Sequence, residues 1–286
     1  MRETYENQLL SSLLLWVDNQ IQDRGRGWIN HSGLFYNIGS KHNNFYTYAI
    51  PYGGFVSDFS ITGATKITGV YLNNSFITTG VSGFTGINYS KGYVYFNSPV
   101  TGSLSGIYAF KEFNVLSTDS SETTLLFETK YAVRPKIGQT TSGIAWNQIN
   151  YPAIFIRNNG GQNDPLAFGG MDTTISNFHA VVLADSLYNL DAICSIFKDS
   201  AREYIPLIPS NESPFNLIGG YRSGNYNYSN LSSGKTANAN SAYIYSVYIS
   251  RFNEQVVNEQ LRQINPNVYA VIIDLQIQKP RFPRIF

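Results

Sequence analysis

Between Trp28 and Ser117 turn residues interrupt the chain every eight to twelve positions, and the runs between them alternate apolar and polar. That spacing belongs to a sandwich or barrel of short antiparallel strands. "FYTYAIPY" (Phe45 to Tyr52) and "DFSITGATKITGVYL" (Asp58 to Leu72) read as early strands. "VYLNNSFITTG" (Val70 to Gly80) reads as a hairpin, because Asn73 and Asn74 tolerate the left-handed backbone of a two-residue loop. In "INYSKGYVYFNSPVTG" (Ile87 to Gly102), Ser90, Lys91 and Gly92 supply the turn, with Gly92 suited to positive φ. Strand alternation then puts Tyr93 and Tyr95 on one face, and Val94 and Phe96 on the other as core candidates. "GIYAFKEFNVLST" (Gly106 to Thr118) closes the unit as one long strand.

The flanking segments have other periods. Tyr5 to Gln22 carries Leu9, Leu10, Leu13, Leu14, Val17 and Ile21 at helical spacing. This helix either packs on its own domain or docks on a neighbouring subunit. Leu10, Leu14 and Trp16 are the candidates for such a contact, with Arg24 and Arg26 just beyond. After Asp119, "ETTLLFETKY" (Glu122 to Tyr131), "YPAIFIR" (Tyr151 to Arg157), "FHAVVLA" (Phe178 to Ala184), "SAYIYSVYISRF" (Ser241 to Phe252) and "NVYAVIIDLQI" (Asn267 to Ile277) read as strands. "DSLYNLDAICSIFKDSAREY" (Asp185 to Tyr204) reads as a helix burying Leu187, Leu190, Ile193, Phe197 and Ala201. "NEQVVNEQLRQIN" (Asn253 to Asn265) reads as a second helix, capped by Asn253. "RNNGGQNDP" (Arg157 to Pro165) reads as a loop, "GGMD" (Gly169 to Asp172) as a turn, and Tyr221 to Ser241 as a long polar loop.

The expected fold is therefore β-rich α+β. A helix occupies 1–28, an antiparallel β-sandwich or barrel-like domain 29–118, and an α+β domain with one sheet and two helices on one face 119–286. The tail "QKPRFPRIF" (Gln278 to Phe286) cannot be helical. It is either a solvated terminus or an extended arm across a neighbour, with Arg281, Phe282, Arg284, Ile285 and Phe286 in contact.

Composition narrows the function. Of 286 residues, 15% are aromatic and only 14% charged, against roughly a quarter charged in average soluble chains. Such a surface suits permanent assemblies better than a freely diffusing enzyme. A net charge of +1 provides no field to attract nucleic acid or an anionic membrane. The apolar run Leu9 to Val17 is expected to be neither a signal sequence nor a membrane span: acids precede it, Ser11 and Ser12 break it, and it is short.

Little chemistry is encoded. His31, His42 and His179 share no metal-binding spacing, and no nucleophile elbow, phosphate loop or dinucleotide fingerprint occurs. No catalytic, metal or cofactor residue is assigned, and the chain is not expected to be an enzyme. Cys194 is the single cysteine, so no intrachain disulfide can form, and it reads as a small core hydrophobe. The sequons at Asn30, Asn73, Asn88, Asn211, Asn227 and Asn230 carry little weight in so Asn- and Ser-rich a chain. Exposed tyrosines are the remaining signal. Tyr221, Tyr226 and Tyr228 in the long loop could stack on sugars or form a protein interface, and interfaces favour tyrosine. With Tyr93 and Tyr95 they are interface candidates.

Thr65 to Ser117 resembles a pattern in structural proteins of tailed bacteriophages. A "V-x-L/V-N-x-x-x-x-x-x-G" hairpin is matched by Val70, Leu72, Asn73 and Gly80. "I-D-Y-x-x-G-x-V-x-F-x-x-P" is matched by Ile87, Tyr89, Gly92, Val94, Phe96 and Pro99, with Asn88 in place of the Asp. The closing "Y-x-x-K" is Tyr108 and Lys111. By element order the second half resembles small α/β subunits that form rings in phage necks and tails, such as tail terminators. The resemblance implies a virion protein assembled in the host cytoplasm, contacting copies of itself and other virion proteins. It would sit in the neck, tail or baseplate, in a ring through which DNA could pass. A receptor- or glycan-binding baseplate or fibre module is the alternative.

Overall fold

The computed structural model describes residues 4–42, 44–127, 132–134, 148–167, 170–215, 224–235, 240–251 and 268–282. Tyr221, Arg284, Ile285, Phe286 and the helix expected over Asn253 to Asn265 lie outside these residues.

The chain is β-rich α+β, as its periodicities imply. Helix α1 (Tyr5–Asp23) leads into β1 (Trp28–Leu34), β2 (Tyr36–His42), β3 (Phe45–Ala49), β4 (Val70–Leu72), β5 (Ser75–Ile77), β6 (Phe84–Asn88), β7 (Tyr93–Phe96) and β8 (Leu104–Lys111). These strands form two four-stranded antiparallel sheets, ordered β1-β8-β4-β5 and β2-β3-β7-β6. Their inner faces share one core that includes Phe35, Phe55, Val70, Phe84, Val94, Phe96, Tyr108 and Phe110.

The two hairpins have the expected turn chemistry. Asn73 and Asn74 adopt φ 50 and 67, and Gly92 adopts φ 70 while its N–H donates to Asn88 O at 3.0 Å. Val94 and Phe96 are buried and Tyr93 and Tyr95 half-buried, so the alternation holds. Two strand expectations fail. Residues 58–69 contain no strand, because Asp58 and its neighbours are drawn into side-chain and turn hydrogen bonds instead. The long closing strand is also two: β8 stops at Lys111, and β9 (Asn114–Ser117) joins a different sheet.

After β9 come α2 (Glu122–Phe127), β10 (Ala132–Arg134), β11 (Gln148–Asn150), β12 (Ala153–Ala167), β13 (Met171–Ala184), α3 (Leu187–Asp199), β14 (Tyr204–Pro206), α4 (Tyr228–Ser232), β15 (Ser241–Arg251) and β16 (Tyr269–Arg281). Strands β10 and β11 form a small parallel pair. The others build one six-stranded sheet, ordered β14-β15-β16-β13-β12-β9 and antiparallel except for β9 against β12.

Four readings are corrected here. Glu122 to Phe127 is helical rather than extended, and Leu125 and Leu126 pack on the sheet beside Phe155 and Val181. "RNNGGQNDP" is strand, because its pairing with β13 continues through a bulge at Asn158/Gly161. A Cβ at Gly161 would collide with the Ile175 carbonyl, so only glycine permits this close approach. The tail is also strand as far as Arg281, paired with Asp172 and Thr173 of β13. Pairing of β16 with β15 ends at Gln278, and Pro280 lies past that point, where a missing N–H is tolerated. Finally, Leu187 opens α3 and is exposed, and Ala201 lies beyond its end, whereas Leu190, Ile193, Cys194, Ile196 and Phe197 are buried. Burial pushes the Cys194 thiol pKa up, consistent with an inert core position.

Helices α1 and α3 cover one face of the six-stranded sheet, against Ile154, Phe178, Val182, Ile244, Ile273 and Ile277. Helix α2 covers one end of the opposite face. No helix among the described residues is long and apolar enough to cross a membrane.

Candidate interaction surface

The joint between the two halves is built from polar side chains. On α1, Asp18, Asn19 and Gln22 lie off the apolar stripe, yet all are buried, because α1 is wedged between the large sheet and the sandwich. Asp18 Oδ1 accepts from Lys111 Nζ at 2.6 Å, and its Oδ2 accepts from Gln22 Nε2 at 2.7 Å and Tyr226 OH at 3.4 Å. Asp58, fully buried, accepts at Oδ1 from Ser60 N, Ser60 Oγ and Tyr228 N, and at Oδ2 from Asn19 Nδ2. The Tyr226 backbone donates to Ser57 O at 3.0 Å and accepts from Phe59 N at 2.7 Å. A buried charge is tolerated only with this degree of pairing. The joint therefore fixes α1, the sandwich and the 226–228 segment against one another.

This changes the fate of several sequence candidates. Tyr226 and Tyr228 are anchors of the joint, not loop-tip rings, and Asn227 caps the short α4 by accepting from Asn230 N. Trp16 is buried in the main core, and Leu10 and Leu14 are partly buried against it, so α1 packs on its own chain. Arg24 pairs with Glu203 at 2.7 Å. Arg281 stacks over the Tyr5 ring at 4.4 Å and donates to Thr174 Oγ1 at 2.6 Å, so it staples β16 to α1 and β13. Phe282 and Arg26 stay exposed. Tyr89 turns its ring toward Phe55 and is partly buried on the sandwich core.

The surface that the fold leaves open lies on the α2 side of the large sheet, past the end of α2. Cross-strand register places Arg157, His179, Asp274 and Tyr248 in one row. His179 is buried, with Nδ1 2.6 Å from Asp274 Oδ1. Glu122 Oε1 of α2 stands 2.7 Å from Nε2, outside hydrogen-bond alignment. The histidine thus stands between α2 and the sheet, at the border between its covered and open parts. Past that row the face carries Asn177, Gln276, Ser246, Ile175, Gln278 and Tyr243. Tyr204 lies opposite Tyr243, with ring centroids 5.2 Å apart. Tyr204, Tyr245 and Tyr248 are exposed, Tyr248 by 67%. Tyr245 sits at the bulge between Ile244 and Ser246. Beside Tyr93 and Tyr95, the tyrosines named from the sequence were those of the 221–241 loop, whereas these exposed ones lie on strands β14 and β15. The alternation of "SAYIYSVYISRF" was the signal, because Ile244, Val247 and Ile249 face the core and leave the tyrosines outside.

Among the described residues no group of three or more His, Cys, Asp or Glu is arranged to hold a metal ion. No protein-family model and no curated protein matches this chain.

Proposed function

We propose that the chain is a structural subunit that works by protein–protein contact, and that it assembles into an oligomeric ring in the neck or tail of a tailed-phage virion. The observation that carries the contact role is the open sheet face, with Tyr204 and Tyr243 beside the neutral Asn177, Gln276 and Gln278 and Tyr248 opposite Asp274 at its border, and exposed Tyr245 at the neighbouring bulge. Exposed aromatic residues, tyrosine above all, are enriched at protein interfaces. They rest here on a rigid base, since the sheet and sandwich are locked by the buried joint. The choice of assembly rests on the resemblance over Thr65 to Ser117, and head–tail connection or tail termination are the roles it implies. The subunit's partners are copies of itself and other virion proteins, and no reaction is assigned to it.

Light scattering on the purified chain and mass spectrometry of purified virions test the reading together. Rings that dissociate when Tyr204 and Tyr248 become alanine, with the protein present in virions, support it. A chain that stays monomeric at high concentration and is absent from virions overturns it.

A further inference from the structure

A second site is built where α1 ends. A cavity of about 440 Å³ is lined by Gln22, Asp23, Arg26, Trp28, Ile61 and Thr62, within the size range of small-molecule sites, roughly 300–1,000 Å³. Its walls are fixed. Trp28 Nε1 donates to Gln22 O at 3.1 Å, which orients the indole, and the ring packs beside Ile61 and Ala64. Asn30 ties β1 to the opposite wall, donating to Gly63 O at 2.9 Å and accepting from Thr65 N at 2.8 Å. Arg26 is held at φ 46 by a short loop in which Trp28 N donates to Arg26 O at 2.7 Å. A non-glycine residue in that conformation is unfavourable and is concentrated at functional sites.

The lining groups are unspent. Neither Asp23 nor Arg26 has an ion pair or side-chain hydrogen bond among the described residues, although three positions separate them. Gln22 is fully buried. Its amide nitrogen serves Asp18, so it forms fixed wall, and the groups open to a ligand are Asp23, Arg26 and Thr62.

We infer that this cavity is a carbohydrate-binding subsite that takes a neutral mono- or disaccharide unit. An indole wall suits the apolar C–H surface of a sugar ring. Asp23 accepts from hydroxyls, Arg26 donates to them, and Thr62 does either. The opposite charges of Asp23 and Arg26 cancel, so a charged ligand would meet a like charge there, whereas a neutral polyol uses both. The site lies on α1 and β1, apart from the tyrosine face, and does not depend on the assembly role.

Saturation-transfer NMR on the full chain, with a panel of neutral hexoses, N-acetylhexosamines and their disaccharides, tests the site. At least one sugar is expected to bind at millimolar concentration, with loss of Trp28 fluorescence intensity or a shift in its maximum. Asp23→Asn and Arg26→Ala, both at exposed positions, should each weaken it about tenfold or more, equivalent to about 1.4 kcal/mol. Should Trp28→Ala fail to fold, those two variants still decide the matter. Absence of transfer across the panel, or transfer unchanged in both variants, overturns the inference. Light scattering on the same variants reads the assembly role separately, and it should not change.

Discussion

Lys111 Nζ, at the end of β8, lies 2.6 Å from Asp18 Oδ1 on α1, and both side chains are nearly inaccessible to solvent. The pair is the ionic centre of the joint between sandwich and large sheet. Lys111→Met takes the cation 2.6 Å away from a buried carboxylate, and about 3–5 kcal/mol of stability should be lost. Adding Asp18→Asn should recover part of that loss, because the stranded charge is removed. Urea denaturation of the two single variants and the double variant gives the coupling directly.

Two buried phenols should behave oppositely to a third. The hydroxyls of Tyr108 and Tyr228 have no hydrogen-bond partner among the described residues, whereas Tyr48 OH accepts from Val100 N at 2.8 Å. Tyr108→Phe and Tyr228→Phe should be neutral or stabilising. Tyr48→Phe should cost about 1 kcal/mol or more, because it strands an amide. Thermal unfolding of the three variants distinguishes these outcomes.

Alkaline pH should unfold the chain in a particular way. Burial is the leading cause that lifts the pKa values of Tyr5, Tyr89, Tyr108, Tyr151 and Tyr228 above the ordinary 10.0, with Tyr151 pushed up to about 12. Above pH 10.0 the folded chain holds protons that the unfolded chain has released, so stability is full below that pH and falls as pH rises. Burial lowers Lys66, Lys91 and Lys279 below 10.5. Their contribution has the opposite slope: it rises with pH between their folded values and 10.5, then stops. The urea midpoint should therefore hold or rise slightly up to about pH 10 and then drop. Phenolate absorbance should show one class of tyrosines ionising early and a second class only with unfolding.

Gly92→Ala tests the hairpin between β6 and β7. The residue sits at φ 70, and an added Cβ would stand 2.7 Å from the Gly53 carbonyl oxygen. Both strain and contact oppose the change, so about 1–3 kcal/mol should be lost. Gly39, also at positive φ but with open space around its Cβ position, should lose less on the same substitution. Chemical denaturation of the two variants separates backbone strain from collision.

The local features of this fold could be read along the chain. Asn73-Asn74 and Gly92 encode their turns because φ is a property of a few residues. The period of α3, closed at its start by Ser186 accepting from Asn189 N, and the alternation of β15 follow from side chains recurring on one face. What tertiary structure decided is pairing at a distance. Polar "RNNGGQNDP" became strand because β13 offered partners along its length, and the proline-bearing tail did the same on the other side of β13. Tyr226 and Tyr228 were drawn inward because Asp18 and Asp58, far away in sequence and buried, needed donors: Tyr226 OH serves Asp18 and Tyr228 N serves Asp58. Arg26, Trp28 and Thr62 converge on one cavity only because α1 and the 61–63 segment pack together. Periodicity records which side of an element is apolar. It carries no record of what lies opposite, and in this chain both the joint and the open tyrosine face depend on what lies opposite.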